Sequence, residues 1–171
     1  MTARQFEAIR KIASSDAVEA FDCGNPALNQ FLQRHALAAQ QSESAQTYVC
    51  CGDGVVAVYY SLVVGGVERA GATTRVAKGM PQHPVPVMIL ARLAVDREHQ
   101  RIGLGKALLK DALQRTAQAA DIAGIRALLV HAKDDDARKW YLQWEFEPSP
   151  TDALHLFLLM KDLKALLRAG A

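Results

Sequence analysis

The pattern of apolar and polar positions predicts three strands in the first part of the chain. They cover Phe6–Ile12, Thr47–Cys51 and Val55–Val64. Gly52-Asp53-Gly54 joins the last two, and such a segment is typical of a hairpin turn. Between the first and second strands, Asn25 and Pro26 predict an N-cap and a first helical residue. The apolar spacing that follows predicts an amphipathic helix to about Gln41.

After a long loop with some irregular strand, predicted over Gly65–Pro86, strands and helices alternate. Strands are predicted over Val87–Val95, Arg126–His131 and Leu154–Met160. Helices are predicted over Gly105–Ala120, from Asp134-Asp135-Asp136 through Trp144, and over Lys161–Arg168. Because a helix connects the strand ending at Val95 to the next one, those two strands are expected to pair in parallel. The chain therefore predicts one mixed α/β domain over residues 1–171.

The segment Gln100-Arg101-Ile102-Gly103-Leu104-Gly105-Lys106 lies between a predicted strand and a predicted helix. The first N–H groups of a helix have no partner within it, and the helix dipole attracts anions to that end. Gly103 and Gly105 would let a diphosphate approach the backbone, and Arg101 and Lys106 add positive charge. An ordinary α/β turn is the competing interpretation. The segment lacks the features of a dinucleotide fingerprint or a P-loop, so a nicotinamide enzyme or an NTPase is not expected.

Composition narrows the class of protein. The 171 residues, 50% of them hydrophobic, suit one compact core, and no apolar run approaches the roughly 20 residues of a membrane span. The charged N-terminus is unlike a signal peptide. Three cysteines, two of them adjacent, form neither a disulfide framework nor a zinc site, and five scattered histidines lack metal-ligand spacing. A protein of the reducing cytoplasm without a metal is expected.

The formal net charge of +2 hides an uneven distribution. Residues 1–60 carry 4 Lys/Arg against 6 Asp/Glu, residues 61–115 carry 9 against 4, and residues 116–171 carry 7 against 8. The positive excess lies in the segment with the glycine turn, which favours a polyanionic ligand or partner there. Charges that only solvate the surface are the alternative.

Two motifs resemble those of the GNAT N-acetyltransferase superfamily, and the resemblance covers nearly the whole chain. The family's phosphate turn, Gln/Arg-x-x-Gly-x-Gly/Ala, is matched from Gln100 to Gly105. Its Asn-x-x-Ala-x-x-x-Tyr helix is matched by Asp134, Ala137 and Tyr141, with aspartate in place of asparagine. The resemblance implies a mixed sheet with antiparallel N-terminal strands and a splayed parallel pair at the cofactor site, flanked by helices.

The resemblance also implies which residues serve acetyl transfer from acetyl-CoA to an amine. The backbone of Leu93, Ala94 and Val95 would pair with pantetheine, and one of their N–H groups would stabilise the oxyanion. The turn from Gln100 to Lys106 would hold the pyrophosphate, and Asp134 lies at the family's pantetheine contact. Tyr141 is expected to protonate the CoA thiolate, since a phenol with a pKa near 10 is protonated at neutral pH. A core tyrosine is the alternative, and no carboxylate stands out as a general base.

A narrower resemblance is to the acetyltransferase toxins of bacterial type II toxin–antitoxin pairs. It rests on Phe21-Asp22-Cys23-Gly24-Asn25, Leu28-Asn29, Phe31-Leu32, Thr47-Tyr48-Val49, Arg92-Leu93-Ala94-Val95-Asp96 and Leu156-Phe157-Leu158. It implies acetylation of the α-amine of aminoacyl-tRNA, arrest of translation, a ribbon-helix-helix antitoxin and a homodimer. Two alternatives remain: an enzyme acetylating a small amine or a protein N-terminus, and a CoA-binding regulatory module without catalysis.

Five basic residues are the candidates for contact with tRNA. Arg75, Lys78 and Arg97 are expected, together with Arg101, to form an RNA-facing patch. Arg92 lies within a predicted strand, where an unpaired charge is costly. It is predicted either to contact a tRNA phosphate near the acceptor end or to hold a structural ion pair.

Overall fold

The computed structural model describes residues 5–170, which form a mixed α/β fold. The strands are β1 (Arg10–Lys11), β2 (Gln46–Gly52), β3 (Val55–Val67), β4 (Val85–Val95), β5 (Ala127–His131), β6 (Glu147–Pro148) and β7 (His155–Leu159). The helices are α1 (Pro26–Gln30), α2 (Ala36–Gln41), α3 (Thr74–Ala77), α4 (Leu104–Ala120), α5 (Asp135–Leu142) and α6 (Met160–Arg168). A π-helical turn (Phe31–His35) joins α1 to α2, and 3₁₀ turns cover Arg69–Gly71 and Arg97–His99. Within residues 5–170, no helix has both the length and the apolar character needed to cross a membrane.

The seven strands form one sheet in the order β1-β2-β3-β4-β5-β7-β6. Strands β4 and β5 pair in parallel, whereas β2 with β3 and β5 with β7 pair antiparallel. The predicted mixed sheet with a parallel pair is therefore confirmed. The pairing of β4 with β5 runs from Val87 opposite Ala127 to Leu90 opposite Val130, and β4 continues beyond it to Val95.

The strand predicted over Phe6–Ile12 is wrong in its length. Strand β1 has only two residues, and Phe6 makes an isolated bridge to Gly52. The backbone N–H of Ile12 still donates a hydrogen bond of 2.9 Å to the carbonyl of Thr47 in β2. The chain then turns, and the carboxylate of Asp16 accepts a hydrogen bond of 2.7 Å from the backbone N–H of Ala13.

The loop predicted over Gly65–Pro86 is shorter than expected because β3 continues through its two glycines. A Cβ added to Gly65 would lie 2.6 Å from Cδ1 of Ile89, so the missing side chain allows a close approach of β3 to β4. The remaining connection contains α3, where the Thr73 hydroxyl accepts a hydrogen bond of 3.2 Å from the N–H of Val76.

The chain packs as two compact units, and the single domain expected from the sequence stays a prediction. The first unit combines the described residues up to Val63 with Arg92–Asp111. Its apolar core includes Phe21, Phe31, Leu32, Val49, Tyr59 and Ala94. The predicted helix start is confirmed, since the Asn25 side chain accepts a hydrogen bond of 3.2 Å from the N–H of Leu28. The π-helical turn within the predicted helix was not foreseen.

The second unit combines Val64–Ala91 with the described residues from Ala112 onward. Its core includes Val76, Val85, Val87, Ala127, Leu129 and Phe157. The guanidinium of Arg126 donates hydrogen bonds to the carbonyls of Arg75, Val76 and Lys78, at 3.2, 3.0 and 3.1 Å. These bonds satisfy carbonyls at the end of α3, which is too short to be stable alone.

Candidate active site

The candidate phosphate-binding turn begins at the end of β4, in the first unit. The side-chain amide of Gln100 donates a hydrogen bond of 2.9 Å to the carbonyl of Val95 and one of 3.4 Å to the carbonyl of Cys23. Between Val95 and Gln100, Asp96 caps the 3₁₀ turn by accepting a hydrogen bond of 2.9 Å from the N–H of Glu98. Gln100 therefore closes the turn on the last residue of the strand.

The turn itself holds two residues in the left-handed region of backbone space. Arg101 has φ +66° and Gly103 has φ +88°. A left-handed residue with a Cβ costs about 1 kcal/mol or more, so Arg101 stores strain that glycine avoids at 103. A Cβ at position 103 would meet no atom within 4 Å, so the backbone there is open to an approaching group.

Helix α4 begins directly after Gly103, and its first hydrogen bond joins the N–H of Ala107 to the carbonyl of Gly103 at 3.1 Å. The preceding N–H groups of this first turn, those of Leu104, Gly105 and Lys106, lie before the first intrahelical donor. No acidic side chain occupies the first turn of α4. Together with the helix dipole, these N–H groups make the end of the helix attractive to a diphosphate.

Asp96 is the residue of this region whose role the sequence did not reveal. It is buried, and its carboxylate accepts hydrogen bonds from the N–H groups of Asp22 at 3.0 Å and Glu98 at 2.9 Å. His99, also buried, places Nδ1 3.3 Å from the same carboxylate. The carboxylate is thus bonded to the backbone on both sides. It holds the turn in place, and a proton-accepting role is not suggested by these contacts.

Arg97 lies on the surface beside acidic residues. Its guanidinium is 3.8 Å from the carboxylate of Asp22. It also lines a pocket of about 500 Å³ in the first unit whose other charged residues include Glu19 and Glu98. The predicted contact of Arg97 with RNA therefore competes with these carboxylates.

In the second unit, Asp134 caps α5. Its carboxylate accepts a hydrogen bond of 2.8 Å from the N–H of Ala137. Aspartate and asparagine cap helices equally well, so the replacement of the family's asparagine preserves the start of this helix. The predicted role of Asp134 at pantetheine remains a prediction.

Tyr141 lies two turns further along α5 and is 6% exposed. Its ring packs edge-on against Phe146, with centroids 5.6 Å apart, and against Trp140, at 5.0 Å. Burial raises the pKa of the Tyr141 phenol well above its ordinary value. The hydroxyl is therefore protonated throughout the physiological pH range, as a proton donor must be.

Arg75 and Lys78 lie at α3 in the second unit, and their surroundings differ. The guanidinium of Arg75 pairs with Asp162 at 2.6 Å and with Glu147 at 3.0 Å. The side chain of Lys78 is exposed. Arg75 is thus held by two carboxylates, which would compete with RNA phosphate for its hydrogen bonds.

Arg92 contacts an aromatic ring, and its predicted contact with a tRNA phosphate stays a prediction. Its Cζ lies 3.6 Å from the centroid of the Phe31 ring, a cation–π contact. Within residues 5–170, the structure shows no ion pair for its guanidinium. The structural ion pair is therefore replaced by an aromatic platform.

The described residues contain no group of three or more His, Cys, Asp or Glu that could hold a metal ion. The rings of His131 and His155 stack on each other, with centroids 4.3 Å apart. Burial and the neighbouring His155 lower the pKa of His131.

Comparison with known proteins agrees with these local features. Residues 43–148 match the family model described as an acetyltransferase (GNAT) domain. The chain is 49% identical, over 162 residues, to a tRNA-acetylating toxin of Mycobacterium tuberculosis (strain ATCC 25618 / H37Rv), covering 95% of this chain and 97% of the relative.

The chain is also similar to solved structures of toxins. The structure of AtaT complexed with acetyl-methionyl-tRNAfMet has a TM-score of 0.87 and 28% identity, covering 95% of this chain and 99% of that one. A tyrosine-to-phenylalanine mutant of AtaT, bound to the C-terminus of the antitoxin AtaR and acetyl-CoA, has a TM-score of 0.81 and 29% identity. It covers 96% of this chain and 99% of that one.

Proposed function

This chain belongs to the GNAT acetyltransferase family, and from that premise we propose that it acetylates the α-amine of aminoacyl-tRNA and thereby blocks translation. The observation that carries the proposal is its similarity to a tRNA-acetylating toxin over almost the full length of both chains. An N-acetylated aminoacyl group has no free amine for peptide-bond formation, which is why the product would stop elongation.

We propose that acetyl-CoA is held mainly by backbone groups. The turn from Gln100 to Lys106 binds the pyrophosphate through the N–H groups at the start of α4. The backbone of Leu93–Val95 pairs with pantetheine as a further strand would. Support comes from the open space at Gly103, which a side chain would fill.

The chemistry is attack of a neutral amine on the thioester carbonyl carbon. A tetrahedral oxyanion forms, an N–H group of Leu93, Ala94 or Val95 stabilises it, and the carbon–sulfur bond then breaks. Tyr141 donates its proton to the departing thiolate. Its raised pKa keeps that proton in place until the thiolate develops. The α-amine of an aminoacyl ester is weakly basic and partly neutral near pH 7, so water suffices to remove its proton.

We further propose that the RNA is bound by basic side chains, with Lys78, Arg92 and Arg101 as the main contacts and Arg75 and Arg97 as weaker ones. The partners are expected to be a ribbon-helix-helix antitoxin and a second copy of this chain. The site of action is the cytoplasm, where charged tRNA is found. A short reading frame for such an antitoxin directly upstream would support the toxin assignment.

The decisive experiment incubates the protein with radiolabelled acetyl-CoA and a pool of charged tRNAs. We expect the label to be attached to the RNA. Mild alkaline deacylation should then release it as a labelled N-acetyl amino acid. Uncharged tRNA should remain unlabelled, and Tyr141→Phe should transfer little label. Label on free amines or peptide N-termini instead of tRNA would favour the alternative acceptor, and no transfer to any acceptor would favour a CoA-binding regulator.

A further inference from the structure

The contact between Arg92 and Phe31 leaves the hydrogen-bonding groups of a half-buried arginine unused. The guanidinium carbon lies over the Phe31 ring, 3.6 Å from its centroid, so the guanidinium and the ring are in direct contact. A guanidinium has five N–H donors, all at the edge of that plane. Within residues 5–170, neither a carboxylate nor a carbonyl accepts a hydrogen bond from the side chain. The ring contact therefore holds the guanidinium in place without satisfying its donors.

Phe31 is itself held firmly. It is 9% exposed, and its ring stacks on Tyr59 with centroids 6.2 Å apart and an interplanar angle of 23°. Tyr59 donates a hydrogen bond of 2.7 Å to the carbonyl of Leu28, one turn before Phe31. The Phe31 ring is thus a rigid platform between the core and Arg92.

The backbone at Phe31 departs from a regular helix. Residues Phe31–His35 form a π-helical turn, and the N–H of Ala36 donates to the carbonyl of Phe31. Such turns are uncommon and occur frequently at functional sites. The extra residue changes the direction of side chains relative to a regular helix, and Phe31 is the residue at which this change begins.

We propose that Phe31 is a positioning residue that orients the Arg92 guanidinium to bind a phosphate of the aminoacyl-tRNA. Burying an arginine without an anionic partner is unfavourable, so the free N–H edge calls for an anion when the site is filled. Arg92 directly precedes Leu93 in β4, the first of the strand residues assigned to the co-substrate. The inference rests on the proposed function.

Phosphate is supplied by both substrates, so the test must separate them. Steady-state KM values for acetyl-CoA and for aminoacyl-tRNA are measured for the parent chain, Phe31→Leu, Phe31→Tyr and Arg92→Lys. Phe31→Leu removes the aromatic face, Phe31→Tyr keeps it, and Arg92→Lys keeps the charge but loses the planar stack. Leu32→Val, a neighbouring core residue that is 2% exposed, is the matched control for loss of packing.

We expect Phe31→Leu and Arg92→Lys to raise KM for aminoacyl-tRNA about two- to fivefold, the range of an exposed or partly buried cation–π contact. Phe31→Tyr and Leu32→Val should stay close to the parent value, whatever their melting temperatures. KM for acetyl-CoA and kcat should not change in any variant. A rise in KM for acetyl-CoA in both Phe31→Leu and Arg92→Lys would overturn the assignment by showing that Arg92 serves the co-substrate.

A double-mutant cycle separates positioning from simple structural support. If Phe31 acts only through Arg92, then Phe31→Leu combined with Arg92→Gln should bind aminoacyl-tRNA no more weakly than Arg92→Gln alone. Fully additive effects of Phe31→Leu and Arg92→Gln on aminoacyl-tRNA binding would overturn the inference. An unchanged KM for aminoacyl-tRNA in Arg92→Lys, measured beside an active parent chain, would also overturn it. A parent chain that acetylates no charged tRNA would instead refute the proposed function and, with it, this inference.

Discussion

The side-chain amide of Gln100 donates a hydrogen bond of 2.9 Å to the carbonyl of Val95, linking the first residue of the glycine turn to the last residue of β4. The family motif places a glutamine or arginine at this position. The geometry assigns it a structural part: it sets where α4 starts relative to the strand. A side chain that only contacted the ligand would not need this bond.

Replacing Gln100 should therefore weaken acetyl-CoA binding. We expect Gln100→Leu to raise KM for acetyl-CoA about fivefold, since a net hydrogen bond contributes about 1 kcal/mol and the turn loses its anchor. Gln33→Leu is the control, because Gln33 is also exposed and donates a hydrogen bond of 3.1 Å to the carbonyl of Phe21. It should lower the melting temperature without changing KM. Equal KM changes in both variants would contradict the role of Gln100.

Substitution of Gly103 should test the backbone conformation separately from steric space. Gly103→Val forces a β-branched residue into φ +88°, at a cost of about 1–2 kcal/mol. It should raise KM for acetyl-CoA at least tenfold, whereas Gly103→Asn should be milder because asparagine tolerates this region. Gly79→Val, at φ +76° and with no atom near its Cβ, should cost stability alone. Isothermal calorimetry with acetyl-CoA measures the difference.

Tyr141→Phe should lower kcat about 10²- to 10⁴-fold while leaving the fold and acetyl-CoA binding intact. The matched control is Tyr59→Phe, which removes another largely buried hydroxyl that bonds the carbonyl of Leu28. Burial raises the pKa of Tyr141, so its proton is lost only at a pH above the ordinary value of about 10. The kcat of the parent should accordingly show no alkaline decline from this group below about pH 10. A decline near pH 8 that Tyr141→Phe abolishes would contradict this assignment.

Asp162 should make the stability of the protein depend on pH. The hydrogen bond from Arg75 is the main cause that lowers the pKa of Asp162 below its usual range. A carboxyl whose pKa is depressed by folding contributes stability above its unfolded pKa of about 3.9, and that contribution is lost as the pH falls through the folded value. Asp162→Asn should thus lower the melting temperature at pH 7, and this difference should shrink as the pH falls below about 3.9. Asp121→Asn, whose carboxylate is 78% exposed, should change little at either pH.

The salt dependence of tRNA binding should distinguish the two basic residues at α3. Lys78→Gln should reduce the slope of log affinity against log salt by about 1, because one phosphate contact is lost. Arg75→Gln should leave the slope nearly unchanged, since Asp162 and Glu147 already hold its guanidinium. Fluorescence anisotropy with a labelled tRNA over a salt series gives both slopes. A larger change for Arg75→Gln than for Lys78→Gln would show that its ion pairs open on binding.

The sequence alone determined the features that depend on residues close together in the chain. The cap of Asn25 on Leu28, the cap of Asp134 on Ala137 and the glycine turn before α4 were predictable, because each is fixed within a few residues. The parallel pair followed from the helix between its strands. The two family motifs then indicated an acetyltransferase. The spacing of apolar and polar residues alone does not indicate a function.

Only the tertiary structure decided which distant groups the charged and polar side chains meet. Arg75 pairs with Asp162 across 87 positions of sequence, and Arg92 stacks on Phe31 from another element. The strand through Gly65 also depended on its fit against Ile89. A basic side chain can face solvent, a carboxylate, an aromatic ring or a nucleic acid. The residues next to it in the sequence do not distinguish these four surroundings. Packing brings one of these partners within reach, and the chain order contains no local signal for that choice.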